Sequence, residues 1–292
     1  MLFGSFGRGA LKEASRLHTH FLQPELQHRF FVAVIGRGYA PPTHWFRWCT
    51  KGMRIRPMTQ FIRKQLASSG RVIVVLGLRR SESSSRALTL DRYATDLQFQ
   101  GNYGSLKGAV ALTPIEDFGT ADVWQFLMQN SSPWGQSNRE LADMYRAAAG
   151  GECASHSLGE GLSSTCGGSR FGCWTCTVVR KDRSGEALAE SHPQYEELVE
   201  FRNWLRVIRY ESARRWKVRR NGRPGPGPLT LETRREILDR LLKTETAIGS
   251  NLIRPEEIVE IQRLWNLDGD RRQTALARYE RQGKVTGIIE FA

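Results

Sequence analysis

The sequence predicts an α/β protein in which part of a parallel sheet is followed by a cysteine-rich loop and a helical C-terminal region. Three observations predict this class. A β-branched run at Arg71–Leu78 directly follows a stretch with helical spacing. Four of the five cysteines fall within a glycine-rich stretch that ends at Cys176. After His192, apolar residues recur with the spacing of amphipathic helices.

The first half of the chain alternates between helix and strand. Residues Thr59–Ala67 place three apolar side chains on one side, which is typical of an amphipathic helix. The run Arg71–Leu78 is apolar on both faces and predicts a parallel strand buried on both sides. The run Phe30–Ile35 fits either a strand or a buried helix, because its period alone does not decide.

Further helices are predicted from capping residues and apolar spacing, at Thr120–Leu127, Ser137–Ala149, Glu196–Val218, Thr230–Lys243 and Pro255–Leu267. The chain then divides into an irregular lead-in (1–20), an α/β domain (21–150), a cysteine loop (151–190) and a basic helical region (191–292).

The composition indicates a folded protein with a polyanionic partner. The 292 residues include 43 Lys or Arg against 30 Asp or Glu, a formal net charge of +13. Such a surplus favours association with nucleic acid. No apolar run approaches the ~20 residues that span a bilayer, and the glycine-broken start is unlike a secretory signal. We therefore expect a cytoplasmic protein without a membrane partner.

The cysteines indicate a metal centre. Cys173 and Cys176 form a C-x2-C pair, and Cys166 precedes them by seven residues. A C-x2-C turn points both sulfurs at one ion or cluster, and Cys153 or Cys49 would supply a fourth ligand. Zinc and an iron–sulfur cluster both accept four thiolates, so spacing does not separate them. The odd number of cysteines argues against a disulfide framework.

Two stretches carry long and unusual motifs, Gly77–Ser83 with Arg86 and Pro114–Trp124. They resemble the signature stretches of the phosphoadenosine-phosphosulfate-reductase superfamily. A second set of motifs lies at Ile35–Tyr39, Phe46–Thr50, Gly150–Cys153, Ser169–Val179 and Arg220–Pro228. This set resembles the DndC family, the sulfurtransferases of DNA phosphorothioation systems. The resemblance covers roughly residues 20–270.

The resemblance implies an adenine-nucleotide-hydrolase-like fold of the ATP pyrophosphatase and PAPS-reductase type, with a [4Fe-4S] cluster. It implies an ATP-dependent sulfurtransferase that replaces a non-bridging oxygen of a DNA backbone phosphate with sulfur. The partners would be DNA, a cysteine desulfurase that donates sulfur, and other subunits of the phosphorothioation system. Carried over residue by residue, it makes Cys49, Cys173 and Cys176 cluster ligands, with Cys166 as the fourth. Cys153 is then an alternative ligand or a catalytic persulfide carrier.

The ATP-binding loop of the superfamily has no counterpart in this sequence. That loop follows a strand and reads Ser-Gly-Gly-Lys-Asp-Ser, whereas residues 1–20 contain scattered glycines without Lys-Asp-Ser. We expect that the chain begins after the first βα units of the fold, through either a misplaced start or a real loss of the loop.

A second candidate site follows the predicted strand. Arg79, Arg80 and Arg86 lie just beyond it, where open α/β sheets place ligands. Guanidinium groups stabilise the charge that builds on phosphate oxygens. We expect Arg79 and Arg86 to act in catalysis by holding a phosphate that Glu82 helps to orient, and Arg80 and Ser83 to contribute to nucleotide binding. A solvated charged loop is the alternative interpretation.

The predicted helix Glu196–Val218 and the residues after it are strongly basic. Residues 201–223 contain nine Lys or Arg against one Glu. Arg202, Arg206 and Arg209 would share one helical face, and such a stripe can neutralise successive phosphates. A solvated helix face is again the alternative. The predicted DNA-binding residues are Arg202, Arg206, Arg209, Arg214, Arg215, Lys217, Arg219 and Arg220.

Two other functions stay open. The chain could be a non-catalytic iron–sulfur DNA-binding subunit that has lost the ATP loop. It could also be a sulfonucleotide reductase like other members of the superfamily. The lone Cys49 argues against a reductase, because cluster-bearing relatives of that kind show a Cys-Cys pair at this position.

Overall fold

The computed structural model of the chain describes residues 18–93, 99–102, 106–132, 135–148 and 173–284. The predicted α/β class is confirmed, with helices more abundant than strands. Most of the predicted lead-in (1–20) and the glycine-rich part of the cysteine loop lie outside the described residues. In the described part of the chain, no helix has both the length and the apolar character needed to cross a membrane.

The chain forms two compact units. The first contains the described residues of Met1–Leu22 and Met58–Cys173, and the second contains those of Gln23–Pro57 and Trp174–Ala292. We call them the α/β unit and the helical unit. This division differs from the predicted one, because residues 23–57 pack with the C-terminal helices and not with the sheet.

The α/β unit is built from four helices and three strands among the described residues. In chain order they are α1 (Arg56–Ser69), β1 (Val72–Val75), α2 (Ser84–Tyr93), β2 (Phe99–Asn102), β3 (Ala109–Leu112), α3 (Thr120–Gln129) and α4 (Asn138–Ala148). The predicted strand Arg71–Leu78 is thus present over Val72–Val75. The prediction that both of its faces are buried is wrong, because Ile73 and Val75 on one face are 59% and 62% exposed.

The sheet places the carboxyl ends of β1 and β3 at one edge. The strand order is β1-β3-β2, and β1 pairs in parallel with β3 from Val72–Ala109 to Val75–Leu112. The antiparallel pairing of β2 with β3 was not predicted. Because β1 and β3 are parallel neighbours, the loops that follow them lie side by side.

In its described residues, the helical unit contains two π-helical segments, Val32–Gly36 and Thr50–Ile55, and five α-helices. These are α5 (Arg183–Ser191), α6 (Glu196–Ile208), α7 (Leu231–Ile248), α8 (Pro255–Leu267) and α9 (Thr274–Glu280). The run Phe30–Ile35 is helical and buried. Its sequence period had fitted either a strand or a buried helix.

The core of the helical unit joins both ends of the chain. Val32, Val34 and Ile35 are fully buried against apolar side chains of α6, α7 and α8. The indole of Trp265 donates a hydrogen bond to the carbonyl of Ile35 at 2.7 Å, which satisfies a buried donor. The apolar segment 30–35 is therefore a central element of this unit.

Two helix ends correct the sequence analysis. Helix α6 ends at Ile208, ten residues before the predicted Val218. Residues 215–229, here called the basic hairpin, instead form a two-sided turn with antiparallel bridges between Arg215 and Leu229 and between Val218 and Pro224. Helix α7 begins after Thr230, as predicted, but extends beyond Lys243 to Ile248.

Candidate metal centre and candidate anion site

The loop at residues 79–86, here called the arginine loop, lies at the carboxyl edge of the sheet. The backbone N–H of Arg80 donates to the carbonyl of Glu116 at 2.8 Å, and the Ser81 hydroxyl donates to the carbonyl of Phe118 at 3.0 Å. These bonds join the segments that follow β1 and β3. The sequence placed the loop at this edge, and the structure confirms that position.

Glu82 contacts both arginines that were predicted to hold a phosphate. Its carboxylate lies 3.7 Å from a guanidinium nitrogen of Arg79 and forms an ion pair with Arg86. Arg79 also donates to the hydroxyl of Thr120 at 3.4 Å, at the start of α3. The Arg79 side chain is only 15% exposed, so these contacts fix its direction. The arrangement can present two oriented guanidinium groups.

Arg80 and Ser83 are occupied by contacts within the fold. The guanidinium of Arg80 contacts three carboxylates, those of Asp91, Glu116 and Asp117. The hydrogen bond to Asp91, followed by the charges of the three acids, raises the pKa of Arg80. The Ser83 hydroxyl accepts a hydrogen bond from the backbone N–H of Arg86 at 3.3 Å, as a cap of α2 does. Both side chains therefore have partners within the fold, and their role in nucleotide binding stays a prediction.

The structure describes three of the five cysteines. Cys49 and Cys176 belong to the helical unit, and Cys173 is the last residue of the α/β unit. Cys153 and Cys166 lie outside the described residues. Within the residues that the structure describes, no three His, Cys, Asp or Glu side chains form a group that could hold a metal ion. A centre of four cysteines would therefore need a ligand from residues 149–172.

Aromatic rings connect the segments that carry Cys49 and Cys176. Trp48 stacks on Phe30 with ring centroids 5.6 Å apart, and Phe30 meets Phe31 edge-on at 5.4 Å. Phe31 in turn lies 6.0 Å from Trp174, which stands between the two cysteines of the C-x2-C pair. The residues before Cys49 and before Cys176 thus pack on one aromatic wall.

Two buried arginines, Arg202 in α6 and Arg209 directly after it, bind the backbone of the same segments. Arg202 is fully buried and donates from Nε to the carbonyl of Cys176 at 2.8 Å, with further bonds to the carbonyls of Val179 and Arg180. Burial lowers the pKa of Arg202, because it removes water from the charged group. Three backbone carbonyls are thereby fixed at the end of the cysteine segment.

Arg209 joins the two segments directly. One of its terminal nitrogens donates to the carbonyl of Pro42 at 2.5 Å and to that of Thr177 at 2.6 Å. The buried hydroxyl of Thr177 also donates to Pro42, at 2.7 Å. The segment leading to Cys49 and the segment following Cys176 are therefore joined by three hydrogen bonds, two accepted by the carbonyl of Pro42 and one by the carbonyl of Thr177. We call Arg202 and Arg209 the arginine pair.

The prediction that Arg202 and Arg209 bind DNA is wrong. Both side chains are buried, at 0% and 5% exposure, and their hydrogen bonds go to the protein backbone. Arg214 is likewise engaged, with the carboxylates of Glu211 and Glu236. Arg215 donates to the carbonyl of Gly227 at 2.9 Å. The predicted DNA contacts that stay exposed are Lys217, Arg219 and Arg220.

A local signal for the arginine pair is present in the sequence. Arg202 and Arg209 are seven residues apart, and Leu205 lies between them on the same face of α6. Leu205 is fully buried. Two arginines that share the face of a core leucine at this spacing indicate buried guanidinium groups rather than a solvated stripe.

The described cysteines fit a metal–sulfur centre by their chemistry. Thiolates are the ligands preferred by iron–sulfur clusters and accepted by zinc, and Cys49, Cys173 and Cys176 are all thiols of the predicted set. The arginine pair binds the backbone of both segments, at the carbonyls of Pro42 and Cys176. The residues present are therefore compatible with such a group.

The sequence matches the family model of the phosphoadenosine phosphosulfate reductase domain over residues 11–179. This family is enzymatic and related to sulfur-carrying nucleotides. The chain belongs to the phosphoadenosine phosphosulfate reductase domain family. Neither the curated proteins nor the solved structures gave a match.

Proposed function

We propose that this protein is a sulfurtransferase of DNA phosphorothioation, which places sulfur on a DNA backbone phosphate. The observation that carries the proposal is the arginine pair, which holds the segments of Cys49 and Cys176 together within a fold of this family. Both guanidinium groups are buried beside these segments, and Arg202 interacts with the charge of Cys176, so the pair would offset part of the negative charge of gathered thiolates.

The reaction needs the phosphate oxygen to become part of a leaving group. ATP would transfer AMP to a non-bridging oxygen and release pyrophosphate. The terminal sulfur of a cysteine persulfide then attacks phosphorus, and AMP departs with that oxygen. A thiol reductant cleaves the remaining S–S bond, which leaves the thiophosphate and a disulfide. We assign the persulfide to Cys153, charged by a cysteine desulfurase.

The arginine loop supplies the groups that this chemistry needs. Negative charge builds on phosphate oxygens as AMP is transferred and displaced. Arg79 and Arg86 would bind these oxygens, and Glu82 would keep both guanidinium groups oriented. Cys49, Cys166, Cys173 and Cys176 would hold a [4Fe-4S] cluster, which would supply redox chemistry. The other subunits of such a system would bring the chain to its DNA.

The experiment uses full-length protein prepared without oxygen. Iron and acid-labile sulfide are assayed, and the protein is incubated with duplex DNA, ATP, cysteine, a cysteine desulfurase and a dithiol. Digested DNA is examined for phosphorothioate dinucleotides by mass spectrometry. We expect iron and sulfide in equal amounts and a phosphorothioate product.

Two variants separate the roles of the sites. Cys49→Ser should lose both iron and product, because a ligand is missing. Arg79→Ala should retain iron but lose at least 100-fold in product, because only the phosphate site is changed. Protein that is iron-free and colourless would contradict the proposal.

The family match itself favours a second candidate, reduction of phosphoadenosine phosphosulfate. Its signature is release of sulfite from that nucleotide in the presence of a dithiol. Sulfite release without any phosphorothioate would establish the reductase instead. Iron without either product would establish a non-catalytic cluster subunit.

A further inference from the structure

The basic hairpin has a defined backbone. The backbone N–H of Trp216 donates to the carbonyl of Pro228 at 2.9 Å near its base, and that of Arg219 donates to the carbonyl of Arg223 at 2.9 Å near its tip. Because these bonds run across the turn, its two sides form a short two-stranded ribbon. The segment is therefore an ordered element and not a loose linker.

Hydrogen bonds join the two sides of the hairpin at its base. Arg215 donates to the carbonyls of Gly227 at 2.9 Å and Pro226 at 3.2 Å, from one side to the other. A Cβ atom at Gly227 would collide with the carbonyl of Val218, so close approach of the two sides requires glycine there. The tip is thus presented in one geometry.

The exposed side chains of the hairpin are cationic. Lys217, Arg219, Arg220 and Arg223 are all exposed, and residues 212–230 contain no Asp or Glu. Arg220 donates to the carbonyl of Arg37 at 2.6 Å. Among the described residues, no salt bridge involves Lys217, Arg219 or Arg223. Three cations on one ordered ribbon thus lack a described acidic partner.

Two apolar side chains accompany these cations. Trp216 is 57% exposed and Val218 is 52% exposed. A large aromatic surface among unpaired cations suits a ligand that offers phosphates together with flat bases or sugar edges. A simple anion would use the charges and leave the indole in water.

We propose that the basic hairpin enters the groove of duplex DNA, with Lys217, Arg219 and Arg223 on backbone phosphates and Trp216 against the sugars or base edges. A two-stranded ribbon fits the roughly 12 Å wide major groove of B-DNA. The deep major groove of A-form RNA is too narrow for it. The inference rests on the proposed function, which makes DNA the substrate, and it names the element that binds it.

The test measures the affinity of the full-length protein for a fluorescent DNA duplex of about 25 base pairs by anisotropy, over a range of salt concentrations. The variant combines Lys217→Gln, Arg219→Gln and Arg223→Gln. Each lost phosphate contact lowers the slope of log affinity against log salt by about 0.9, so we expect a slope smaller by about 3. Affinity at ~0.1 M salt should fall on the order of 100-fold.

The control variant removes the same charge elsewhere, through Arg63→Gln, Lys64→Gln and Lys243→Gln, all at exposed positions. It should keep the wild-type slope. A hairpin variant with the wild-type slope, a control that loses as much, or tighter binding to duplex RNA or to anionic lipid vesicles would overturn the inference.

The outcomes also separate this inference from the proposed function. If the protein forms phosphorothioate, and the hairpin variant shows the same salt dependence of DNA affinity as the wild type, only the hairpin inference fails. If the wild-type protein binds no duplex DNA, the hairpin inference fails, and the phosphorothioate assay alone then decides the proposed function. If the hairpin binds DNA but no phosphorothioate forms, only the sulfurtransferase proposal fails.

Discussion

Arg209 uses its buried charge to join two distant parts of the backbone. Its guanidinium holds the carbonyls of Pro42 and Thr177, residues separated by more than a hundred positions in the chain. A charged donor in a buried site contributes more than a neutral one, and carbonyls left without donors carry a desolvation cost. We therefore expect Arg209 to contribute strongly to the stability of the helical unit.

Replacing Arg209 with Met keeps much of the side-chain volume but removes every donor. The free energy of unfolding should fall by about 3 kcal/mol, because the buried carbonyl of Thr177 loses the Arg209 donor and that of Pro42 keeps only the Thr177 hydroxyl. Denaturant unfolding measures the loss. Anaerobically prepared Arg209→Met protein should also retain less iron than wild type, since the segments of Cys49 and Cys176 lose two of the three hydrogen bonds that join them.

The matched control is Arg263→Met on the surface of α8. Arg263 is 58% exposed and pairs with Glu260 at 2.7 Å, an exposed pair of the kind that contributes less than about 1 kcal/mol. The role of Arg209 would be contradicted if both variants lost the same free energy of unfolding. It would also be contradicted if Arg209→Met protein bound as much iron as wild-type protein.

At the scale of elements, Asp270 fixes the start of α9. Its carboxylate accepts hydrogen bonds from the hydroxyl of Thr274 at 2.6 Å and from the backbone N–H of Thr274 at 3.2 Å. Arg235 donates to it at 3.0 Å. Burial alone would raise the pKa of Asp270, but these hydrogen bonds, with a further one from Gln262 and the charge of Arg235, lower it below its ordinary value.

This shift predicts a pH dependence of stability. An acid whose folded pKa is lowered stabilises the protein above its unfolded pKa of about 3.9, and the contribution disappears as pH falls through the folded value. Asp270→Asn should therefore cost about 1–3 kcal/mol at neutral pH, and the difference from wild type should shrink below about pH 4. Denaturant unfolding between about pH 3 and pH 7 measures it.

Asp239→Asn serves as the comparison, because Asp239 is 46% exposed and pairs only at the surface with Arg278. Its effect should be smaller at every pH. A difference between Asp270→Asn and wild type that stays constant over the whole pH range would show that the carboxylate charge is not responsible.

The sequence predicts elements well where the pattern is local. The apolar period and the Thr230 cap of α7, and the Pro255 start of α8, are visible within one or two turns. The end of α6 is not, because residues 209–218 contain no helix breaker. They leave the helix because the glycine- and proline-rich segment 224–228 supplies backbone partners across the basic hairpin. That pairing leaves no periodic signal.

The sites follow the same rule. The arginine loop could be placed because it directly follows a strand, and the contact of Glu82 with Arg79 spans three residues. The ion pairs of Arg80 could not be predicted, since two of its carboxylate partners, Glu116 and Asp117, come from the segment after β3. The arginine pair had a local signal in its spacing, but the carbonyls that it binds lie far away in sequence.

At the scale of the whole molecule, the two units should respond separately to core mutations. Leu241 is fully buried in the helical unit and Leu90 in the α/β unit. Truncation of either to Ala leaves a cavity and costs about 2–5 kcal/mol. Leu241→Ala should reduce amide hydrogen-exchange protection in residues 23–57 and 174–284, while the protection of residues 58–132 is kept.

Leu90→Ala is the reciprocal variant and should show the opposite distribution, which mass spectrometry of exchanged peptides can resolve. Loss of protection spread evenly over both units, in either variant, would mean that the chain unfolds as one cooperative body. The division into units could not be predicted, because residues 23–57 contact partners about 200 positions away in sequence.

The helical unit is formed by two stretches that are far apart in the chain, and this affects its folding during synthesis. Residues 23–57 leave the ribosome well before their partners at 174–292 exist. At 5–20 residues per second, the apolar run Phe30–Ile35 waits on the order of ten seconds or more without its core. The nascent chain thus exposes an aggregation-prone apolar segment early. Chaperones that bind such segments would protect it until translation is nearly complete.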